Sequence, residues 1–243
     1  MKSIIEYPPI GKVELSTRRN VRRTTFSVSA QCVKITTSHF FINTLFPLSK
    51  ERIDWILKTQ EKLREKYTSF MLLPTSEIET CFFKIRFYPD SRLSRKNTFA
   101  IKKEGIEMKI SYFPEFVFED VENQQIIVRL LKQVLRKEAE RFLPIRIKEC
   151  ANKYGFKFES VRINGALSRW GSCSSKKHIN LSYYLMLLPL DLIDFVLVHE
   201  LCHTEQMNHG VAFKHRMKEI FIDYDLLTKH LKAAAQKTSI FKI

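Results

Sequence analysis

The stretch Val198-His199-Glu200-Leu201-Cys202-His203 decides how the C-terminal part of this sequence folds. It carries two histidines four residues apart with a glutamate directly after the first, which is the HExxH pattern of zinc hydrolases. On an α-helix, positions i and i+4 project from the same face, one turn apart. The pattern therefore predicts a helix on which His199 and His203 bind one metal ion, with Glu200 beside it as a proton acceptor.

A third ligand is available beyond this helix. His209 follows His203 by six residues, so the chain must turn before His209 can reach the metal-binding face. Asn208 and Gly210 flank it, and both residue types tolerate positive φ in such a turn. A catalytic zinc site usually has three protein ligands and an open position for water. His199, His203 and His209 match that number.

Length and composition are those of a packed protein. The chain has 243 residues, of which 44% are hydrophobic, and this is enough to bury a substantial core. No apolar run is long enough to cross a bilayer, and the N-terminus has no stretch suited to a signal peptide. The five cysteines are scattered without a CxxC pair, which predicts free thiols in a reducing compartment. We therefore expect a cytoplasmic protein with no membrane partner.

The charge is strongly basic and unevenly distributed. The formal net charge is +15, and no acidic residue occurs between Glu14 and Glu51. A patch of this kind can bind the phosphates of a nucleotide or nucleic acid, or an acidic protein surface. It can equally be a solvated strand face, because no nucleic-acid-binding motif accompanies it. The basic residues in this interval are Arg18, Arg19, Arg22, Arg23, Lys34 and Lys50.

Hydrophobic patterning predicts two regions. Alternating polar and apolar residues over 12–45 indicate strands, and residues 49–66 form an amphipathic helix with a serine N-cap. We find no internal repeat in the sequence, and the predicted boundary lies near 113–119. The remaining predicted elements are strands around 81–88, 98–103 and 106–111, a long helix from Glu119 to Tyr154, and strands near 158–163, 166–173 and 178–184.

Several further segments form a recognisable set together with the HExxH stretch. They are Arg169-Trp170-Gly171-Ser172-Cys173, Ile179-Asn180-Leu181, Leu188-Pro189, and Asn208-His209 with Phe213. This set resembles the YgjP-like metallopeptidase family, which is related to the WLM and SprT-like zinc metalloproteases. The arginine-rich opening strands, the ERIDWILK helix and the long central helix also match, so the resemblance covers most of the chain.

The resemblance implies an α+β protein with a zincin-like catalytic domain, which is a short sheet plus the HExxH helix. This domain would comprise residues 116–243 and follow a β-rich region, residues 1–115, with one amphipathic helix. His199, His203 and His209 would bind Zn²⁺, and Glu200 would act as the general base on a metal-activated water. The substrate would be a peptide or protein. The Arg-Trp-Gly-Ser-Cys segment would form a strand beside the metal helix that receives an extended peptide by β-augmentation.

Four further residues are candidates for substrate contact: Arg169, Trp170, Tyr184 and His215. For Trp170, core packing is favoured over substrate contact. For His215, an ordinary position on a helix surface is favoured, although it could approach the site from the helix after His209. Arg169 can bind a carboxylate or phosphate of the substrate, or pair with a helix carboxylate instead.

The sequence departs from the family pattern at three positions. Gly210 stands where serine is common, Lys214 where tryptophan is common, and Ser182 where asparagine is common. None of these changes removes a ligand or Glu200. They affect the expected rim of the cleft and the substrate preference.

Three functions are compatible with the sequence, and a zinc-dependent metallopeptidase is favoured. The first alternative is a metal-dependent nucleotide pyrophosphohydrolase, because the same activated water can attack phosphorus and the basic surplus suits a polyanion. The second is a nucleic-acid-associated protease that acts on proteins bound nearby. The presence of Glu200 argues against a purely structural zinc site, which needs no base and usually has four protein ligands.

Overall fold

Helices and strands alternate along the chain in a mixed α+β arrangement, as the sequence predicts. The computed structural model describes residues 2–18, 21–29, 32–38, 45–69, 71–95 and 98–242, so Arg19 of the basic interval lies outside the described residues. These residues form five α-helices and eleven strands in three sheets. Internal contacts divide the chain into two units, Met1–Met71 and Leu72–Ile243. Among the described residues, no helix combines the length and the apolar character that crossing a membrane requires.

The first unit is a sheet packed against one helix. Its strands are β1 (Lys2–Tyr7), β2 (Gly11–Thr17), β3 (Thr25–Val28) and β4 (Cys32–Thr37), followed by helix α1 (Lys50–Ser69). The strand order is β1-β2-β4-β3, with β2 parallel to β4 and the outer pairs antiparallel. Alternate residues Val13, Leu15, Val33 and Ile35 form a buried cluster with Ile56 of α1. The period-two pattern and the amphipathic helix predicted here are confirmed.

The second unit opens with another sheet and a long helix. The strands are β5 (Ile78–Glu79), β6 (Lys84–Pro89), β7 (Phe99–Glu104) and β8 (Glu107–Tyr112), and helix α2 (Val121–Tyr154) follows. The carboxylate of Asp120 accepts a hydrogen bond from the Glu122 N–H at 2.8 Å and caps the start of α2. Gly155 ends the helix with a φ of 79°, a left-handed conformation that favours glycine.

The two four-stranded sheets share one topology. In each sheet the second and fourth strands are parallel neighbours at the centre. The first strand pairs antiparallel with the second at one edge, and the third pairs antiparallel with the fourth at the other edge. A helix follows each sheet in the sequence. The prediction that the chain has no internal repeat is therefore wrong at the level of topology. The shared sequence signal is short: Thr25-Phe26 opens β3, and Thr98-Phe99 stands at the start of β7.

A third, smaller sheet and the C-terminal helices complete the second unit. Strand β11 (His178–Ser182) lies between β10 (Gly171–Cys173), to which it is antiparallel, and β9 (Ser160–Asn164), to which it is parallel. The strand predicted at 166–173 is confirmed only for its last three residues. The elements are β9 (Ser160–Asn164), β10 (Gly171–Cys173), β11 (His178–Ser182), a 3₁₀-helix (Tyr183–Leu187), α3 (Leu190–Cys202), α4 (Val211–Ile220), α5 (Tyr224–Ala234) and a second 3₁₀-helix (Ala235–Lys242).

Helix α3 is held between α2 and β10. Most of its residues are buried, which explains why its sequence is apolar almost all round. A charged pair fixes its N-terminal half to α2: the guanidinium of Arg146 donates to Asp194 through Nε at 2.7 Å and through Nη2 at 2.6 Å. The helix that carries the HExxH motif is therefore anchored on both sides.

The boundary between the units lies earlier than the division at residues 115 and 116 that the sequence predicts. Ile85, Phe87 and Met108 of the second sheet belong to the same buried cluster as Leu131 and Leu135 of α2. The contacts therefore group that sheet with the C-terminal elements. The predicted β-rich region, residues 1–115, contains two sheets, one in each unit.

Candidate metal centre

Three histidines from the end of α3 and the following connection come together. His199 lies in the last turn of α3, His203 at its C-terminal end, and His209 just before α4. One nitrogen from each ring lies within 4.8 Å of the others, and the Nε2 atoms of His199 and His209 are 3.0 Å apart. Among the residues that the structure describes, this is the group of side chains that can hold a metal ion.

The chain bends at the C-terminal end of α3, which brings His209 back to the histidine pair. The Gln206 N–H donates to the Cys202 carbonyl at 2.8 Å. The buried hydroxyl of Thr204 donates to the Leu201 carbonyl at 2.7 Å. These bonds satisfy carbonyls that the end of a helix leaves without partners, and they hold the turn that follows α3.

The bend does not use the residues that the sequence predicts. Gly210 is the N-cap residue of α4, with a φ of −71°, and among the described non-glycine residues only Lys177 has positive φ. The predicted turn before His209 is confirmed. Its proposed cause, positive φ at Asn208 and Gly210, is wrong, because the hydrogen bonds of residues 204–206 make the bend.

The ring of Phe213 on α4 packs against all three imidazole rings. Its ring centroid lies 4.9 Å from that of His199, 4.7 Å from that of His203 and 4.8 Å from that of His209. The phenylalanine side chain is completely buried. It therefore restricts the three rings and keeps solvent from one side of the cluster.

His199 and His203 are held in the neutral form that metal binding requires. The Gln206 carbonyl lies 3.1 Å from Nδ1 of His203, and because a carbonyl only accepts, Nδ1 carries the proton and Nε2 keeps its lone pair. Burial, and then the neighbouring His203 and His209, lower the pKa of His199 to about 3. Burial also lowers the pKa of His203. Both rings are therefore neutral at physiological pH.

Glu200 lies on the buried side of α3 against β10. It is 5% exposed, and its Oε2 has no hydrogen-bond partner among the described residues. The carboxylate packs on the Cα of Gly171, where a Cβ would lie 2.6 Å from Oε1. Only glycine permits this approach. Burial raises the pKa of Glu200 to about 8, and the nearby charge of Arg169 partly opposes this rise.

Strand β10 is an edge strand beside α3. It pairs with β11 on one side, and among the described residues no strand pairs with its other edge. Ser182 fixes the loop before it, because its hydroxyl donates to the Ala166 carbonyl at 2.8 Å and its N–H donates to the Trp170 carbonyl at 2.8 Å. The prediction of a strand next to the HExxH helix is confirmed for residues 171–173.

The four candidate substrate-contact residues occupy different environments. Arg169 is exposed and Trp170 partly buried, and both line a small cavity before β10. Tyr184 is 1% exposed and packs against two aromatic rings, so this placement gives no support to a substrate contact. His215 is exposed on α4 and pairs with a glutamate one turn along at 3.2 Å. Of the four, Arg169 is the one whose charge acts on Glu200.

Three residues that shape the site were not identified as site residues from the sequence: Gly171, Phe213 and Ser182. Gly171 lies inside a segment that was recognised, but its contact with Glu200 depends on the packing of β10 against α3. Phe213 follows His209 by four residues, a spacing that suggests proximity only when both residues share a helix. Ser182 carries no signal beyond its departure from the family pattern.

Comparison with known proteins gives a family but no individual relative. The family model described as YgjP-like, metallopeptidase domain, matches residues 22–234. No curated protein and no solved structure shows a significant match. The matched range contains the three histidines, Glu200 and β10, and a metallopeptidase family implies a metal ion and a hydrolytic reaction. Because the match covers most of the 243 residues, the chain belongs to the YgjP-like metallopeptidase family.

Proposed function

We propose that this protein is a zinc-dependent metallopeptidase with a zincin-like active site. His199, His203 and His209 bind Zn²⁺, and Glu200 is the general base. One observation carries the proposal: Oε2 of Glu200 is buried without a partner among the described residues, and Glu200 directly follows His199 of a histidine cluster that can hold a metal ion. A structural zinc site needs no such carboxylate and usually closes with four protein ligands.

The histidine cluster suits zinc in spacing and in number. Two nitrogens bound to one zinc ion at 2.0–2.1 Å in tetrahedral geometry lie roughly 3.3 Å apart. The Nε2 atoms of His199 and His209 are separated by 3.0 Å, which is close to this distance, and all three ligand nitrogens lie within 4.8 Å of one another. Three imidazoles leave a fourth position for water, which is the arrangement of catalytic zinc sites.

The proposed reaction is hydrolysis of a peptide bond. Bound zinc supplies Lewis acidity, which activates the attacking water and polarises the scissile carbonyl. Glu200 accepts a proton of this water at Oε2 while the water oxygen bonds to the carbonyl carbon. Glu200 then donates that proton to the amide nitrogen, so that the C–N bond breaks and the amine leaves.

The raised pKa of Glu200, about 8, is compatible with this role. A carboxyl group with such a pKa is mostly protonated at pH 7 in the metal-free protein. A cation within a few ångströms favours the ionised form. An ion bound by the histidine cluster would therefore increase the ionised fraction of Glu200 at neutral pH.

Substrate binding is proposed along the free edge of β10. An extended peptide can pair with the main chain of an edge strand by β-augmentation. Gly171 presents no side chain, so a peptide at this edge comes close to Glu200. This arrangement orients the scissile carbonyl without requiring a particular side chain, in agreement with a peptide or protein substrate.

The proposed catalytic groups all lie within residues 116–243, which we propose as the hydrolase domain, with residues 1–115 preceding it. The contacts support a larger folding unit that begins at Leu72, so the functional and the folding boundaries differ. The five cysteines are free thiols, and this supports the proposed cytoplasmic location.

The metal assignment is tested by elemental analysis of purified protein. We expect about one zinc per chain in the wild type and loss of that zinc in His203→Ala. His230→Ala is the matched control, because His230 is exposed on α5, and it should keep its zinc. Equal zinc contents in the wild type and His203→Ala would contradict the assignment of His203 as a zinc ligand.

The reaction is tested with a panel of denatured proteins, peptides and nucleoside triphosphates. We expect cleavage of peptide bonds by the wild type, and a loss of at least about 1,000-fold in Glu200→Gln, which keeps the side-chain size but removes the base. Glu205→Gln is the matched control, because Glu205 is exposed on the connection after α3. Hydrolysis of triphosphates alone, abolished by Glu200→Gln, would replace the peptidase with a pyrophosphohydrolase.

A further inference from the structure

Arg169 is a cation beside the proposed catalytic base with no ion-pair partner among the described residues. Its side chain is exposed, and no carboxylate of the described chain lies within 4.0 Å of its guanidinium nitrogens. Its charge nevertheless acts on Glu200, whose pKa it lowers. Arg169 precedes Gly171 by two positions, and Gly171 contacts the Glu200 carboxylate. The arginine therefore stands near the reacting groups and is available to an anion.

The loop that carries Arg169 is fixed at both ends. The Ala166 N–H donates to the side chain of Asn164 at 3.0 Å, and the Ala166 carbonyl accepts from the Ser182 hydroxyl at 2.8 Å. At the other end, the Trp170 carbonyl accepts from the Ser182 N–H at 2.8 Å. The main chain around Arg169 is thus held before any ligand arrives, which reduces the entropy lost on binding.

A small open cavity adjoins this loop. Its volume is about 60 Å³, and its lining consists of residues 166–170 with Ala235 and Thr238. This space holds a few water molecules at about 10–15 Å³ each, or one short side chain. Arg169 is the charged residue of the lining, and the Thr238 hydroxyl already donates to the Ala235 carbonyl at 2.9 Å. The cavity therefore offers one positive charge among small and apolar groups.

We propose that Arg169 and this cavity form a subsite for a carboxylate of the substrate, so that the enzyme prefers acidic peptides. This inference rests on the proposed peptidase function. The loop of residues 166–170 directly precedes β10, and its Trp170 carbonyl accepts from the Ser182 N–H. Arg169 precedes Gly171 by two positions, so a peptide that pairs with β10 and extends past Gly171 reaches the loop that carries Arg169.

Charge and geometry both favour a substrate carboxylate over Glu200 as the partner of Arg169. The two side chains form no salt bridge, and Oε2 of Glu200 has no partner among the described residues. Arginine binds carboxylates in a planar, bidentate geometry, and its exposed position leaves room for one. The formal net charge of +15 also attracts acidic peptides over longer distances.

The experiment compares peptides that differ at one position near the cleavage site. Cleavage sites are first located by mass spectrometry in a denatured protein digested by the wild type. Peptides around one site are then made with Glu, Gln or Lys at each position within two residues of the scissile bond. The variants are Arg169→Lys, Arg169→Glu and, as the matched control, Arg162→Glu, because Arg162 is exposed on β9 of the same sheet. Zinc content and unfolding midpoint show that each variant is folded.

We expect the wild type to favour Glu over Gln by about tenfold in kcat/KM at one position, and to disfavour Lys. Arg169→Lys should keep this order, Arg169→Glu should reverse it in favour of Lys, and Arg162→Glu should leave it unchanged.

A fall in kcat that is equal for all peptides in Arg169→Glu would overturn the inference, because it would mean that Arg169 only adjusts the ionisation of Glu200. Peptide cleavage that ignores charge in the wild type would overturn the subsite alone, whereas absence of any peptide cleavage would overturn the peptidase function together with it.

Discussion

At the scale of single residues, the contact between Gly171 and Glu200 makes a sharp prediction. In Gly171→Ala, the new Cβ would lie 2.6 Å from Oε1 and 2.7 Å from Cγ of Glu200, so the carboxylate must move. Displacement of a catalytic group by about 1 Å costs on the order of 100-fold in rate. We expect kcat/KM to fall by at least about this factor while zinc content is unchanged, since the three histidines are untouched.

Gly210→Ala is the matched control for this prediction. A Cβ at Gly210 meets nothing within 4 Å, and its φ of −71° suits alanine. Its activity should stay within about twofold of the wild type, since a surface substitution that meets no atoms is nearly neutral. Equal effects of the two substitutions would show that flexibility near the site, and not the Gly171 contact, limits the rate.

The pKa of Glu200 gives a second prediction, for the metal-free protein. Its folded pKa of about 8 lies above the ordinary value of 4.5, so ionisation is less favourable in the folded state than in the unfolded state. The contribution of this group to stability therefore decreases as pH rises from about 4.5 to 8. With a chelator present, the free energy of unfolding of the wild type relative to Glu200→Gln should decrease by a few kcal/mol over this window.

Urea denaturation at pH 5, 6, 7 and 8 measures this difference. His199, with its lowered pKa, acts in the opposite direction below pH 6.5 in both proteins, so its effect cancels in the comparison. A difference that does not change with pH would mean that Glu200 has an ordinary pKa in the folded protein.

The sequence predicts the residues of the candidate site more readily than it predicts their surroundings. The four-residue spacing of His199 and His203 follows from helix geometry alone, so it was predictable. The place of Phe213 under the rings depends on the angle between α3 and α4, which no local pattern encodes. The burial of Tyr184 likewise follows from tertiary packing, because an aromatic residue after a strand is compatible with either a core or a cleft position.

At the scale of elements, α3 depends on its attachment to α2. The Arg146–Asp194 pair is partly buried, with side-chain exposures of 30% and 23%, and it joins the two helices five residues before His199. We expect Asp194→Asn to lower the free energy of unfolding by about 1.5–3 kcal/mol, as for hydrogen bonds to charged groups. Chemical denaturation of the zinc-free protein measures this change.

The exposed ion pair between Lys218 of α4 and Asp225 of α5 provides the control for Asp194→Asn. Its side chains are 54% and 78% exposed, so Asp225→Asn should change stability by no more than about 0.5 kcal/mol. If Asp194→Asn were as mild as this control, packing of the apolar residues of α3 would be sufficient to hold the helix. A lower zinc affinity in Asp194→Asn alone would show that the pair also positions the histidines.

Element boundaries followed the sequence where local signals were strong. Asp120 and Gly155 limit α2 by capping, and both ends agree closely with the prediction. Strand β10 is shorter than predicted because Ser182 holds residues 166–170 in a loop. The bend after α3 also differs from the prediction. Hydrogen bonds at the end of the helix form it, and no residue in it has positive φ.

At the scale of the whole molecule, the repeated sheet topology bears on why the domain boundary predicted near residue 115 differs from the division by contacts at Leu72. Loops between β2 and β3 and between β6 and β7 are both polar and basic, so neither marks the start of a new unit. Around Pro114 the chain makes an exposed turn between β8 and α2, and domain boundaries often fall in such exposed connections. The sheet before it nonetheless buries its apolar face with α2. This shared burial is a long-range property, and composition along the chain does not report it.

The folding unit is therefore expected to begin near Leu72 and not near residue 116. A fragment of residues 72–243 retains Phe83, Ile85 and Met108, which belong to the same buried cluster as Leu131 and Leu135 of α2. A fragment of residues 116–243 lacks that sheet and exposes the apolar face of α2, and large exposed apolar patches cause aggregation. We expect the longer fragment to unfold cooperatively and to bind about one zinc ion, and the shorter one to aggregate or to lack a cooperative transition. Circular dichroism during thermal unfolding, with zinc analysis, distinguishes them. A shorter fragment that equals the longer one in both measurements would show that the hydrolase domain folds without the second sheet, and that the division predicted from the sequence is also the folding boundary.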